Sequence, residues 1–139
     1  MDKSDNKTKS FKDLVVWQKA HAFVLSIYQQ VKIFPDDYQA IVGDMLCESA
    51  TAIATNIIGG YKKKDREDKL LFLTTAQEAL EECRYYITLA TDLHLMDSFQ
   101  ADELENNLNE VSYLLNSYAR SIKRRKEGEY KKEDDLKDE

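Results

Sequence analysis

Apolar residues recur at steps of three and four along almost the whole of residues 11–126, and this spacing is typical of amphipathic α-helices. The chain has one proline and four glycines, which are too few for the many turns of a β-sheet protein of this length. Breaks in the spacing divide the chain into four helical runs. The predicted runs are Phe11–Phe34, Asp37–Gly59, Asp65–His94 and Ser98–Lys126.

Local signals mark the ends of these runs. Ser10 followed by Asp13 resembles a capping box at the start of the first run. Pro35 stops that run, because the residue before a proline is pushed out of the α region. Gly59 and Gly60 are predicted to end the second run, since glycine tolerates the left-handed conformation that is common just past a helix.

Four amphipathic helices joined by short loops predict an all-α fold, an antiparallel up-down-up-down four-helix bundle over residues 11–126. Residues 1–10 are predicted to be a flexible polar N-terminus, and residues 127–139 a disordered acidic tail, because both are charged and poor in apolar residues. No apolar stretch approaches the roughly 18 residues of a membrane span, and the N-terminus does not resemble a secretory signal. We therefore expect a single cytoplasmic domain.

Small residues dominate the second run from Ala50 to Thr55, and they predict a tight helix–helix contact within the bundle, against another subunit, or both. Asn56 borders the apolar stripe and needs hydrogen-bond partners if it is buried. Glu82 on the third run is one candidate partner. We interpret Asn56 as a structural amide that sets helix register.

Charge is distributed unevenly in the predicted bundle. The whole chain carries −6, which argues against a nucleic-acid binder if only the total is considered. The antiparallel topology, however, brings residues 1–13, 61–69 and 118–126 to one end, where they sum to +8. Residues 32–48 and 92–105 lie at the opposite end and sum to −8. The bundle is therefore predicted to be strongly dipolar.

The positive end is a candidate site for nucleic-acid phosphates, which bind cations with an affinity that falls steeply as salt rises. Its predicted binding residues are Lys62, Lys63, Lys64, Arg66, Lys123, Arg124, Arg125 and Lys126. An alternative carries equal weight: cations in the last turn of a helix oppose its dipole, and charged loops are often simply solvated. The acidic tail follows directly, so it can also fold back onto this end at high effective concentration.

Patterns typical of enzymes and metal sites are absent from the sequence. Neither His21 nor His94 belongs to the Glu-x-x-His pairs of a di-iron bundle. Cys47 and Cys83 fall within apolar helical patterns, which favours buried free thiols. The "GGYKKKD" segment lacks the spacing of a phosphate-binding loop. We predict no catalytic residues, no metal and no cofactor.

Three segments resemble the bacterial four helix bundle proteins, also called ribosomal RNA intervening-sequence proteins. The first-helix signature of that family, Phe-x-x-Leu-x-Val-Trp-x-x-Ala, corresponds here to Phe11, Leu14, Val16, Trp17 and Ala20. The end of its second helix corresponds to Ala52, Ile53, Asn56, Ile57, Gly59 and Gly60. The segment "EALEECRYYITLATDLHLM" resembles its third helix, with Glu82 at the acidic position. Trp17, Asn56, Gly60 and Glu82 are therefore predicted to be structural residues.

The resemblance implies a ring-like homopentamer, and some relatives are encoded inside insertions in large-subunit ribosomal RNA genes. A related branch, the accessory variability determinants of diversity-generating retroelements, binds nucleic acid and a reverse transcriptase through a basic surface. This chain departs from the family pattern at Ala52 and Gly59, and it has Cys47 and Glu48 where relatives often carry basic residues. Leu71, Tyr85 and Leu89 lie off the main stripes and suit a second buried face such as a subunit interface.

Two functions follow as hypotheses. The first is a non-enzymatic, oligomeric accessory protein whose positive end binds RNA or DNA phosphates with little base specificity. The second is a scaffold that recognises a partner protein, for example a reverse transcriptase, without contacting nucleic acid directly.

Overall fold

Four long helices make up most of the computed structural model, which describes residues 8–125. They are α1 (Val15–Val31), α2 (Asp36–Lys62), α3 (Arg66–Asp92) and α4 (Ser98–Arg124). A π-helical turn at Gln39–Gly43 interrupts α2 near its start. Helix α1 packs on α2 and α4, and α3 packs on the same two helices. The predicted all-α four-helix bundle is confirmed, while the predictions for residues 1–7 and 126–139 lie outside the described residues.

Side-chain caps begin α3 and α4, close to the predicted starts of the third and fourth runs. Asp65 accepts a hydrogen bond from the backbone N–H of Asp68 at the start of α3. Asp97 and Gln100 form a reciprocal capping box at the start of α4. The box formed by Ser10 and Asp13 is also present, but it caps a 3-10 turn at Phe11–Asp13. The first α-helix therefore begins four residues later than predicted.

Antiparallel packing fixes which residues face each other. The Ser49 hydroxyl lies 3.1 Å from Cys83 Sγ between α2 and α3. Arg84 binds Glu105 at 2.8 Å between α3 and α4. The predicted apolar stripes meet along the axis of the bundle. Its largest fully buried apolar side chains are Phe23, Ile27, Leu46, Ile53, Ile57, Leu80, Ile87, Leu108, Val111, Leu115 and Ile122.

The prediction that Gly59 and Gly60 end the second helix is wrong, because α2 continues through both of them to Lys62. A Cβ atom on Gly59 would lie 2.5 Å from two ring carbons of Phe72. A Cβ atom on Gly60 would lie 3.3 Å from the backbone oxygen of Lys69. Glycine normally weakens a helix interior by about 1 kcal/mol relative to alanine. Here it gives α3 room to approach the α2 backbone.

The predicted structural amide finds a different partner. Asn56 is partly buried and donates its hydrogen bond to the Ala52 carbonyl, 2.8 Å away in the preceding turn of α2. Glu82 is exposed, so the proposed pairing with Asn56 is wrong. The register explains the difference: because Ser49 faces Cys83, Glu82 lies almost two helical turns along the bundle from Asn56.

Trp17 is half-buried against the core, as expected for a structural residue. Its ring stacks on His21, with 4.9 Å between ring centroids, and meets Phe11 edge-on at 5.0 Å. These contacts attach the 3-10 turn to the first turns of α1.

Helix α2 is long and contains an apolar window of 18 residues. By length and composition alone it could cross a membrane, but the core helix of a soluble protein passes the same test. Leu46, Ala50, Ile53 and Ile57 are fully buried in the bundle. We therefore interpret α2 as a helix that packs in the core of the bundle.

Candidate nucleic-acid interface

Three basic segments meet at one end of the bundle. The guanidinium of Arg66 donates hydrogen bonds to the carbonyls of Lys123, at 3.2 Å, and Arg125, at 2.9 Å. A hydrogen bond of 2.8 Å joins the hydroxyls of Thr8 and Tyr61. These contacts place residues 8–13, 61–69 and 118–125 together, and we call this surface the basic end. The grouping predicted from the topology is observed.

The basic end contrasts sharply with the opposite end. Its three segments hold eleven basic and four acidic residues. Residues 32–48 and 92–105 at the other end hold nine acidic residues and one lysine. The summed field of such a distribution attracts polyanions to one end of the molecule and repels them from the other.

Two cations near the start of α3 have structural partners. Helices α2 and α4 both finish at the basic end, where their last carbonyls lack partners within the helix. Lys69 is 1% exposed, and its Nζ donates to the carbonyls of Gly60, at 3.2 Å, and Tyr61, at 3.1 Å. Arg66 caps α4 in the same way through Lys123 and Arg125. Part of the positive charge therefore stabilises the helix ends.

The buried position of Lys69 is a feature that the sequence prediction missed. Lys69 stands four residues before Leu73, in line with the apolar stripe of α3. A lysine in a core position is expensive to bury unless its ammonium group finds acceptors. This mismatch was the available signal, and it points to a buried capping role.

Most of the remaining predicted site residues are open to solvent. Lys62, Lys63, Lys64, Lys123 and Arg124 are exposed and Arg125 is half-buried, whereas Lys126 lies outside the described residues. The Nζ of Lys63 lies 5.5 Å from the ring centroid of Phe72, which orients the side chain through a cation–π contact. The exposed side chains of Lys62, Lys123 and Arg124 can reach a phosphate in solvent.

The two cysteine thiols are not activated as nucleophiles. Burial raises the pKa of the Cys83 thiol to about 12, and a hydrogen bond with Ser49 only partly opposes that effect. Burial and the nearby Asp44 carboxylate also raise the pKa of Cys47. Both thiols therefore stay protonated at neutral pH and are poor nucleophiles. Among residues 8–125, no group of three or more histidine, cysteine or carboxylate side chains is arranged to hold a metal ion.

Comparison of the sequence with known protein families found a match. Residues 12–117 match the family described as 23S rRNA-intervening sequence protein. The chain belongs to this family. The match spans α1, α2, α3 and most of α4. The family description names no reaction.

A solved structure has a similar fold. It is a crystal structure, at 1.70 Å resolution, of a protein of unknown function from the S23 ribosomal protein family of Bacteroides thetaiotaomicron VPI-5482. The two chains superpose with a TM-score of 0.69 and 22% sequence identity, over 76% of this chain and 98% of the other chain. At that identity the likeness is one of fold. A search of proteins with curated functions found no match.

Proposed function

We propose that this bundle is a non-enzymatic accessory protein of the cytoplasm that binds RNA or DNA phosphates through its basic end. The observation that carries the proposal is the contact of Arg66 with the carbonyls of Lys123 and Arg125, which joins two cationic segments far apart in the chain. Arg66 and Lys69 cap the helix ends, and Lys62, Lys123 and Arg124 add exposed positive charge beside them. Their positive charge suits a polyanion.

Little base specificity is expected from such a surface. Phosphate contacts position a protein on nucleic acid, whereas sequence is read by side chains that reach the edges of the bases. The exposed cations lie at the connection between α2 and α3 and in the last turn of α4, and the site is built from charge. Affinity should therefore depend strongly on salt and weakly on sequence.

Titration of RNA at several salt concentrations tests this proposal. We expect binding at low salt, with the logarithm of the association constant falling linearly against the logarithm of salt concentration and a slope of about −2 to −4, as for about three or four neutralised phosphates. Fluorescence anisotropy with a labelled single strand and a duplex of unrelated sequence measures it. Absence of binding at low salt, both for the full chain and for a chain ending at Lys126, would rule the proposal out.

We also propose that the protein self-associates, as the homopentamer implied by the family resemblance. Leu25 and Tyr28 are 53% and 51% exposed on α1, and α1 contains no acidic residue. An apolar surface without carboxylates is suited to contact with a second copy. Light scattering should give a mass near five protomers, and Leu25→Glu should lower it. A monomeric mass at micromolar concentration would contradict self-association.

A further inference from the structure

A second surface lies on the outward side of α3 and carries exposed apolar groups. Leu71 and Tyr85 are 64% and 59% exposed, and Glu78 stands midway between them. Steps of seven residues return to nearly the same side of an α-helix, so the three side chains form one line. Each step advances about 10 Å, which makes the line about 21 Å long.

A shallow, open groove of about 600 Å³ follows this line from Thr74 to Tyr86, and Leu71 lies just beyond its end. It is lined by Thr74, Gln77, Glu78, Glu81, Glu82, Tyr85 and Tyr86. The rings of Tyr85 and Tyr86 meet edge to face, with 5.6 Å between centroids. Gln77 is held by α4, because its amide donates to the Ser112 carbonyl at 3.3 Å and to Asn116 Oδ1 at 3.0 Å. These two bonds hold the Gln77 side chain of the groove in place.

Unpaired carboxylates occupy the middle of the groove. Glu81 bonds to Arg84 at 3.2 Å. Glu78 and Glu82 are exposed, and neither forms an ion pair or hydrogen bond within residues 8–125. These charges repel nucleic acid. They also disfavour a contact between this surface and the same surface of a second copy, because the same carboxylates would face each other across the interface. A ring such as the proposed homopentamer joins different faces of its subunits, and light scattering tests that contact below.

We propose that the α3 groove binds a cationic amphipathic helix of a partner protein. Apolar side chains of that helix pack on Leu71 and Tyr85, and its lysines or arginines pair with Glu78 and Glu82. The line from Leu71 to Tyr85, about 21 Å long, matches about four helical turns. The groove lies on a surface distinct from the basic end, so a protein and a nucleic acid can be bound at the same time.

A synthetic helix that carries only the proposed chemistry tests the groove directly. The probe is a fluorescent peptide of about 21 residues, with leucines along one face and lysines and arginines beside them, long enough to span the groove. Two matched peptides serve as references, one with the same composition scrambled and one with glutamate replacing every cation. We expect the cationic amphipathic helix to bind the full-length protein at least about tenfold more tightly than either reference peptide.

Variants of the protein locate the binding. Glu78→Lys combined with Glu82→Lys should weaken the probe at least about tenfold, and Tyr85→Ala about fivefold. Glu103→Lys combined with Glu110→Lys changes the net charge equally on α4 and should leave binding within about twofold. Equal losses in the two double variants, or equal binding of all three peptides, would overturn the proposal. RNA binding by the same proteins is measured in parallel. A failure of the proposed nucleic-acid binding is thereby distinguished from a failure of peptide binding.

Self-association gives a further discriminating outcome. If Tyr85→Ala lowers the mass measured by light scattering, the α3 groove belongs to a contact between subunits and the proposal of a foreign helix is wrong. An unchanged mass together with weaker peptide binding supports the proposal that the groove binds a helix of a partner protein.

Discussion

Replacing Lys69 with methionine should lower the free energy of unfolding by about 3 kcal/mol. The Nζ of Lys69 donates to two carbonyls in the last turn of α2, and the side chain is 1% exposed. Methionine fills similar volume but donates no hydrogen bond, so the Gly60 and Tyr61 carbonyls lose this donor in a site that water barely reaches. The favourable charge at the C-terminal end of the α2 dipole is lost as well. Relief from burying an ammonium group offsets part of this cost.

Urea unfolding followed by circular dichroism measures the effect, at one protein concentration because self-association would shift the apparent stability. The matched control is Lys62→Met, the same change at an exposed position in the same turn of α2. We expect the control to cost less than about 0.5 kcal/mol. A loss below about 1 kcal/mol for Lys69→Met, with an unchanged denaturant slope, would show that the carbonyls find other donors and that Lys69 is not the cap.

Reversing two charges at the basic end should weaken RNA binding at least about 50-fold at low salt. The variant combines Lys63→Glu with Arg124→Glu, which are both exposed and come from the two segments that Arg66 joins. Two cations that neutralise phosphates are lost and two repulsive charges replace them. The slope of the logarithm of affinity against the logarithm of salt should become shallower by about 1.5 to 2.

The control for charge reversal is Lys19→Glu combined with Lys32→Glu, which changes the net charge by the same amount away from the basic end. Lys32 lies at the acidic end, and the ion pair of Lys19 with Glu110 is about half exposed, so its loss should cost little stability. We expect this control to stay within about threefold of the wild-type affinity. Similar losses in both double variants would mean that RNA senses only net charge, and a dedicated site would be excluded.

Sequence patterns predict much of the candidate site because its position follows from helix direction. Once four helices alternate in direction, Lys63 and Arg124 must share an end, and the Arg66 contacts with α4 show that they do. The patterns do not reveal which cations bind backbone carbonyls at the helix ends and which remain exposed. They place Lys69 with the surface charge, although it is buried as a cap, and Arg66 with the phosphate ligands, although it contacts backbone carbonyls.

The sequence likewise predicts the α3 groove only in part. Leu71 and Tyr85 stand out in the sequence as apolar residues off the main stripe, but Leu89, which the same pattern groups with them, packs against the core. Glu82 is predicted to be a partner for Asn56 and instead lines the groove. A rotation of α3 by a fraction of a turn decides whether such a side chain faces the core or the solvent. That rotation depends on how the neighbouring helices pack against α3.

Residue order alone accounts for the four helices, the capping box of Ser10 and Asp13 and the apolar stripes, because these features depend on hydrogen bonds and spacings within a few residues of the chain. Packing between the helices decided where α2 ends and which distant residues meet. Gly59 and Gly60 look like a helix stop, yet they remain helical because α3 approaches them through Phe72 and Lys69. Distant partners meet through the antiparallel register, and the energy of their contacts outweighs the local preferences of the residues involved.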